Sequence, residues 1–301
     1  MLFQRLIRDN QCQRFFELTY TMTTEQKRKI EGIIALTLSG LAAAIGLFWL
    51  VYILTDVLTH GIGALTPGLF FNDPAPAGVE GGGLRNAFVG QLMITAFSVL
   101  IGVPVGVLGG TFLAEYARGK KIARIISILS DIMVSVPSIV VGAFVYAILV
   151  RPLHHFSGWA GAFALSIIMI PVVLRTTEDM LSLVPWTIRE AAFALGAPYY
   201  KVIIQVVYRA AATGIFTGVL LSIARIAGET APLLFTSFNN NFHSTNMNGP
   251  MASLTVTIFQ YAMGPYKSWH SQAWGAALMI TLFILALTIT GRLIIRWRYK
   301  R

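Results

Sequence analysis

Gly102-Val103-Pro104-Val105-Gly106-Val107-Leu108-Gly109-Gly110 lies within residues 87–114, a run of 28 residues without one Asp, Glu, Lys or Arg. About 20 apolar residues are enough to cross a bilayer, so this run reads as a membrane span. Gly102, Gly106 and Gly110 recur every fourth residue, which puts them on one helix face. Small residues at that spacing form a groove in which another helix backbone can lie close, a packing mode suited to lipid. Gly214 and Gly218 repeat the spacing further along. A bundle of membrane helices is the expected fold.

Five more apolar segments stand around this one: roughly 33–58, 122–150, 159–174, 213–235 and 275–295. The whole 301-residue chain is 55% hydrophobic and 12% charged, with mean hydropathy +0.68. Soluble domains carry about 25% charged residues, so the chain reads as an all-α membrane protein of about six transmembrane helices. Pro104, Pro137 and Pro171 fall inside the second, third and fourth segments, where each frees a carbonyl and allows a kink. The outer loop 59–86, with Pro67, Pro74, Pro76 and Gly81-Gly82-Gly83, reads as irregular. The apolar piece 251–264 is too short to span and reads as an external or re-entrant helix.

The formal net charge is +10, and its placement excludes nucleic-acid binding. Lys and Arg alternate between loops instead of forming one stripe interleaved with aromatics. Six precede the first span, four lie in the second loop, four in the fourth and five after the last span. The opposite loops hold only Arg85, Arg151 and Lys267. Positive residues mark the cytoplasmic side, so both termini are expected there. On this reading 1–32 is a cytoplasmic tail, 33–58 an uncleaved first span, 85–296 the membrane core with a cytoplasmic loop at 176–212, and 297–301 a second tail. Cys12 is the only cysteine, so neither an internal disulfide nor a cysteine metal cluster is available. His60, His154, His155, His243 and His270 fall in outer loops, and the adjacent pair His154–His155 does not share a face; no metal site is expected.

The fourth loop reads Pro185-Trp186-Thr187-Ile188-Arg189-Glu190-Ala191-Ala192-Phe193-Ala194-Leu195-Gly196-Ala197-Pro198. Thr187 with Glu190 matches a capping box, Gly196 suits a left-handed helix end, and Pro198 suits the first turn of a new helix. The expectation is a short helix, a sharp turn and a second helix. Ala191, Ala192 and Ala194 keep the first helix slim enough to dock into a cleft on another protein. A plain linker between spans would have the same outline.

The fifth segment carries Arg225 and Glu229. Its ten Leu, Ile, Val and Phe residues favour insertion by roughly 3–6 kcal/mol in all, while the two charges oppose it by roughly 5–7. Such a helix must turn its charges toward a bundle or a wet cavity. Four residues apart, the two can pair on one face. The pair either locks helices together or lines a hydrophilic path, with Ser222, Gly228 and Thr230 beside it. No Gly-x-Ser-x-Gly, no His-Glu-x-x-His and no intramembrane histidine is present, so no enzymatic site is expected.

Glu190-Ala191-Ala192, three residues, then Gly196 resembles the EAA loop of permeases of ATP-binding-cassette importers. Glu190 lies 111 residues from the end of the chain, as that loop does. The pattern's terminal proline is missing: Val206, Tyr208 and Arg209 stand there. Ala224-Arg225-Ile226-Ala227-Gly228-Glu229-Thr230-Ala231-Pro232-Leu233-Leu234-Phe235-Thr236 and Pro171-Val172-Val173-Leu174-Arg175-Thr176-Thr177-Glu178 are similar to stretches of phosphate permeases of the PstA type. The resemblance runs from about residue 85 onward.

It implies an importer-permease (MetI-like) bundle in the bacterial inner membrane, carrying phosphate. It also implies a heterodimer with a related permease, two ATP-binding-cassette ATPase subunits and an external phosphate-binding protein, with no cofactor on this chain. Glu190, Ala191, Ala192 and Gly196 would couple to the ATPase. Arg225, held by Glu229, would line the substrate path, with Arg175 a second positive point nearer the cytoplasm. An oxyanion explains a buried arginine, whose planar fork of donors matches phosphate oxygens. A permease for another oxyanion is the alternative. An ion-coupled secondary transporter would not need the docking loop.

Overall fold

The computed structural model describes the backbone of residues 2–299 except Ala77 and Glu80, and side chains from Glu25 onward except 26, 77, 80, 294–296 and 298–301. Cys12 and the terminal residues Arg296, Arg298, Lys300 and Arg301 therefore lie outside the described side chains. Among the described residues there are helices, turns and no strands. The chain divides into two compact units, residues 1–56 and 57–301.

Helix α1 (Leu2–Ile62) is continuous. From Lys27 to Thr55 its side chains are exposed, including Leu36, Phe48, Trp49 and Ile53. An apolar surface of that length is stable only where no water faces it.

The second unit is organised around one long helix. α2 (Pro67–Phe71) turns the chain into α3 (Arg85–Tyr116), with Arg85 bonded through two nitrogens to Asp73 at 3.1 and 3.2 Å. α4 (Lys121–Ser135) and α5 (Ser138–Leu153) follow, then α6 (Gly158–Ser182). α7 (Trp186–Ala194) is short. α8 (Tyr199–Ala227), α9 (Ala231–Thr236), α10 (Leu254–Ala262) and α11 (Lys267–Tyr299) complete the chain. Among the described residues five helices are long and apolar enough to span a membrane, or up to six if α4 and α5 count as one broken span.

The glycine spacing explains the packing. A methyl group at Gly102 would meet Met169, one at Gly106 would meet Val173, and one at Gly110 would meet Leu174 and Thr177. Those three glycines are the groove in which α6 lies. On its other side Gly214 and Gly218 of α8 abut Met180 and Thr176. Two buried serines stitch the α3–α6 contact: Ser98 donates to the Ala162 carbonyl at 3.0 Å and Ser166 to the Ser98 carbonyl at 3.2 Å. The core between these helices contains Ile94, Leu165, Met169, Val173, Ile226 and Leu233.

Three expectations need correction. The segment 122–150 is not one kinked span: α4 and α5 meet at Val136-Pro137 with a bend of 101°. Val136 is extended, with ψ 130°, the conformation that a following proline imposes. The segment 213–235 is also not one helix. α8 starts at Tyr199 and stops at Ala227, and α9 begins three residues beyond Gly228, with Pro232 in its first turn. Finally, Thr187 caps nothing. Pro185 takes the N-cap position of α7, so the helix begins one residue before Thr187. The short helix expected in 251–264 is present as α10, capped by the Ser253 hydroxyl, which accepts from the Val256 amide.

Candidate functional site

α7 is a slim helix with a built stop. Gly196 has φ +76°; its amide donates to the Phe193 carbonyl at 2.8 Å and the Ala197 amide to the Ala192 carbonyl at 3.2 Å. This pair of bonds is the Schellman arrangement, and the left-handed residue it needs is most easily glycine. Pro198 then takes the N-cap position of α8, one residue ahead of the first turn expected for it. Of the motif residues, Glu190, Ala191 and Gly196 are exposed, while Ala192 packs inward against Leu181, Val184 and Val202. Ile188 and Leu195 are exposed beside them, Leu195 at 89%. The outer face of the hairpin is therefore apolar with one carboxylate.

The residue before the motif is buried. Arg189 forms two bonds with Glu115 at the end of α3, Nη2 to Oε1 at 2.5 Å and Nε to Oε2 at 3.3 Å. It also donates to the carbonyls of Val184 at 2.6 Å and Leu181 at 3.0 Å. The Tyr199 hydroxyl donates to the Glu115 carbonyl at 2.8 Å, and the guanidinium lies 5.4 Å from the centre of the Trp186 ring. Sequence reasoning counted Arg189 among loop charges and left Glu115 without a role. The one available signal was a lone carboxylate directly after 28 uncharged residues.

Arg225 occupies the last turn of α8 and Glu229 lies just past its end, so their pair spans a helix break. Nε stands 3.9 Å from Oε1, with the side chains 45% and 18% exposed. The break is supported from two sides: Gln91 of α3 donates to the Ala227 carbonyl at 3.1 Å, and Thr255 of α10 to the Glu229 carbonyl at 2.9 Å. In a membrane, carbonyls freed by a helix break must be satisfied by protein or cavity water. Gln91 and Thr255 do this here, and sequence reasoning missed both. Arg225 faces an open cleft of about 250 Å³ at the α4–α5 elbow, lined by Met133, Val134, Val136, Phe144 and Ile168 among others. It is the only charged residue lining that cleft among the described residues.

Arg175 stands apart from Arg225. Its guanidinium lies 3.1 Å from Glu178, 3.6 Å from Asp131 and 3.8 Å from Asp179, and it donates to Ser127. Three carboxylates around one arginine leave no net positive charge to offer an anion in this conformation. Gly214 faces Met180 and Gly218 faces Thr176, so α6 and α8 run antiparallel. Arg225 is then level with about residue 169, and Arg175 lies about 9 Å further along the axis at 1.5 Å per residue. Among the described residues no group of three or more His, Cys, Asp or Glu side chains is set to hold a metal ion.

The second unit is thus a helical bundle with an exposed hairpin at α7 and a helix break that carries Arg225 and Glu229. The family model described as "Binding-protein-dependent transport system inner membrane component" matches residues 102–301, and the chain belongs to that family. It is similar to the phosphate transport system permease protein PstA of Pasteurella multocida, with 52% identity over 88% of this chain and 95% of that one. The protein of the same name from Haemophilus influenzae is 53% identical over 88% of this chain and 94% of its own. Among solved structures, a chain of the MetNI methionine ABC transporter in an inward-facing conformation matches with TM-score 0.57 and 19% identity, over 71% of this chain and 94% of that one. That likeness concerns the fold alone.

Proposed function

We propose that the chain is the transmembrane subunit of an ATP-driven phosphate importer in the bacterial inner membrane, with both termini cytoplasmic. It forms half of the path, beside a related permease, and couples to two ATPase subunits through Glu190, Ala191, Ala192 and Gly196. An external phosphate-binding protein delivers the anion. ATP hydrolysis belongs to the ATPase subunits, and this chain performs no bond chemistry.

The observation that carries the reading is Arg225, a cation on a largely apolar cleft at a supported helix break. An exposed charge at membrane depth is stable only against water or a partner, so the Arg225 face closes against the second permease and lines the path between them. Phosphate oxygens compete with Glu229 for the guanidinium, and a loose ion pair lets them do so. Arg175 joins the path as a second positive point nearer the cytoplasm only in a conformation that parts it from Asp131, Glu178 and Asp179. The names of the relatives favour phosphate over other oxyanions.

Uptake of labelled phosphate and of competing oxyanions by membrane vesicles, with and without ATP, tests the proposal. Arg225→Gln should insert and assemble normally while uptake is abolished. Arg225→Lys should recover only part of it, because an ammonium lacks the planar fork. Wild-type uptake by Arg225→Gln would end the proposal.

A further inference from the structure

We infer that the buried Arg189–Glu115 pair is the strut through which movement of α7 reaches α3, making both residues positioning residues for the coupling of ATP hydrolysis to transport. The inference rests on the docking reading of α7.

The outer face of α7 is free for a partner, and its inner face is where any push must leave it. Most of that inner contact is apolar, made by Ala192 and Phe193 against Leu181, Val184, Val202 and neighbours. Apolar contacts are non-directional and can slide. Arg189 is different. One guanidinium binds a carboxylate of α3 through two nitrogens and also holds the carbonyls of Leu181, at the end of α6, and of Val184 just beyond it. Tyr199, the first residue of α8, holds the Glu115 main chain. The docking helix and the ends of three long helices thus meet at one pair of charges.

Bidentate arginine–carboxylate bonds fix orientation as well as distance. The pair is sealed, with side chains 2% and 1% exposed, so water cannot replace either partner while α7 moves. Glu115 itself lies on a π-turn, Phe112–Tyr116, a local widening of the helix often found at functional positions. A displacement of α7 therefore reaches α3, whose glycine face is seated against α6.

The test uses the complete importer, reconstituted in proteoliposomes with its ATPase subunits and phosphate-binding protein. Glu115→Gln keeps the shape and one acceptor oxygen but removes the charge. Arg189→Lys keeps the charge but cannot reach Glu115 and both carbonyls together. Each variant should retain ATPase subunits in pull-down and hydrolyse ATP within about twofold of wild type, while phosphate carried per ATP falls about fivefold or more, the lower end of ordinary coupling between sites. An unchanged ratio in both variants would overturn the strut. So would loss of the inserted chain or of the ATPase subunits in Glu115→Gln, since the pair would then serve folding or docking alone. The docking reading fails separately, by intact ATPase pull-down in Gly196→Val.

Discussion

Two arginine–glutamate pairs occupy opposite physical extremes of this chain. Arg189 and Glu115 meet at 2.5 Å with side chains 2% and 1% exposed; Arg225 and Glu229 meet at 3.9 Å with 45% and 18% exposed. The first pair is 74 residues apart in sequence and joins different helices, and its guanidinium also serves two carbonyls. The second pair is local, and its guanidinium keeps donors for something else. A buried charge is tolerated only when it is paired and hydrogen-bonded; four of the five Arg189 N–H donors are taken up, which leaves little to offer a passing anion. A charge meant to meet a substrate has to remain under-committed. By that criterion the Arg225 cleft has the properties of the proposed working site and the Arg189 pocket those of the inferred joint.

The largest expected effect sharpens this contrast as stability. Arg189→Met strands the Glu115 carboxylate and should destabilise the chain by about 3–5 kcal/mol, the usual result of breaking a buried pair from one side. Arg225→Met leaves Glu229 partly solvated and should change stability by less than about 1 kcal/mol. Thermal unfolding in detergent compares the two directly. Equal destabilisation would erase the distinction between joint and working site.

Gly196→Val is expected next in size. A β-branched residue at φ +76° is strained by about 1–2 kcal/mol, enough to reshape the exposed turn but not the bundle. Insertion should stay normal and ATPase association should be lost in pull-down. Retained association would mean that the hairpin only links α6 and α8.

Much of this architecture was legible because lipid-facing helices write their length and their close contacts into local sequence. The apolar runs located the long helices, and Gly102, Gly106, Gly110, Gly214 and Gly218 marked the seams around α6. Gly196 announced its left-handed turn. The prolines were less readable, since all three lie within apolar runs. Pro104 and Pro171 stay inside helices because the Gly102–Gly110 seam holds α3 and α6 together around them. Pro137 breaks its segment where α4 and α5 show exposed apolar faces, and Ser135 takes up the Ile132 carbonyl at 2.7 Å. The break at Gly228 was hidden for a similar reason: Gln91 and Thr255, which make it tolerable, come from distant parts of the chain. Local patterns cannot show a partner 74 residues away, so Arg189 looked like one more cytoplasmic charge. The triple carboxylate around Arg175 was partly visible, as Glu178 and Asp179 lie within a turn of it, but Asp131 arrives from α4.

The smallest effect concerns the role of Glu229, and its sign is the informative part. If Glu229 holds Arg225 in place, Glu229→Gln should weaken phosphate binding and raise the apparent KM of the path. The geometry argues the other way. At 3.9 Å the pair is loose, Arg225 is nearly half exposed, and exposed pairs contribute up to about 1 kcal/mol. Glu229 is then chiefly a competitor for the guanidinium, occupying it between anions and helping to displace each one. Removing its charge should let phosphate bind Arg225 more tightly and leave more slowly. The expected outcome is a fall in both KM and maximal uptake, each by no more than about fivefold, the equivalent of 1 kcal/mol. Assembly and ATPase association should be unaffected, and Glu229→Asp should lie between Gln and wild type. Initial-rate uptake over a range of concentrations of the loaded phosphate-binding protein measures both quantities. A raised KM in Glu229→Gln would assign Glu229 to holding Arg225, and the open pair would then resemble the sealed one in function despite its exposure.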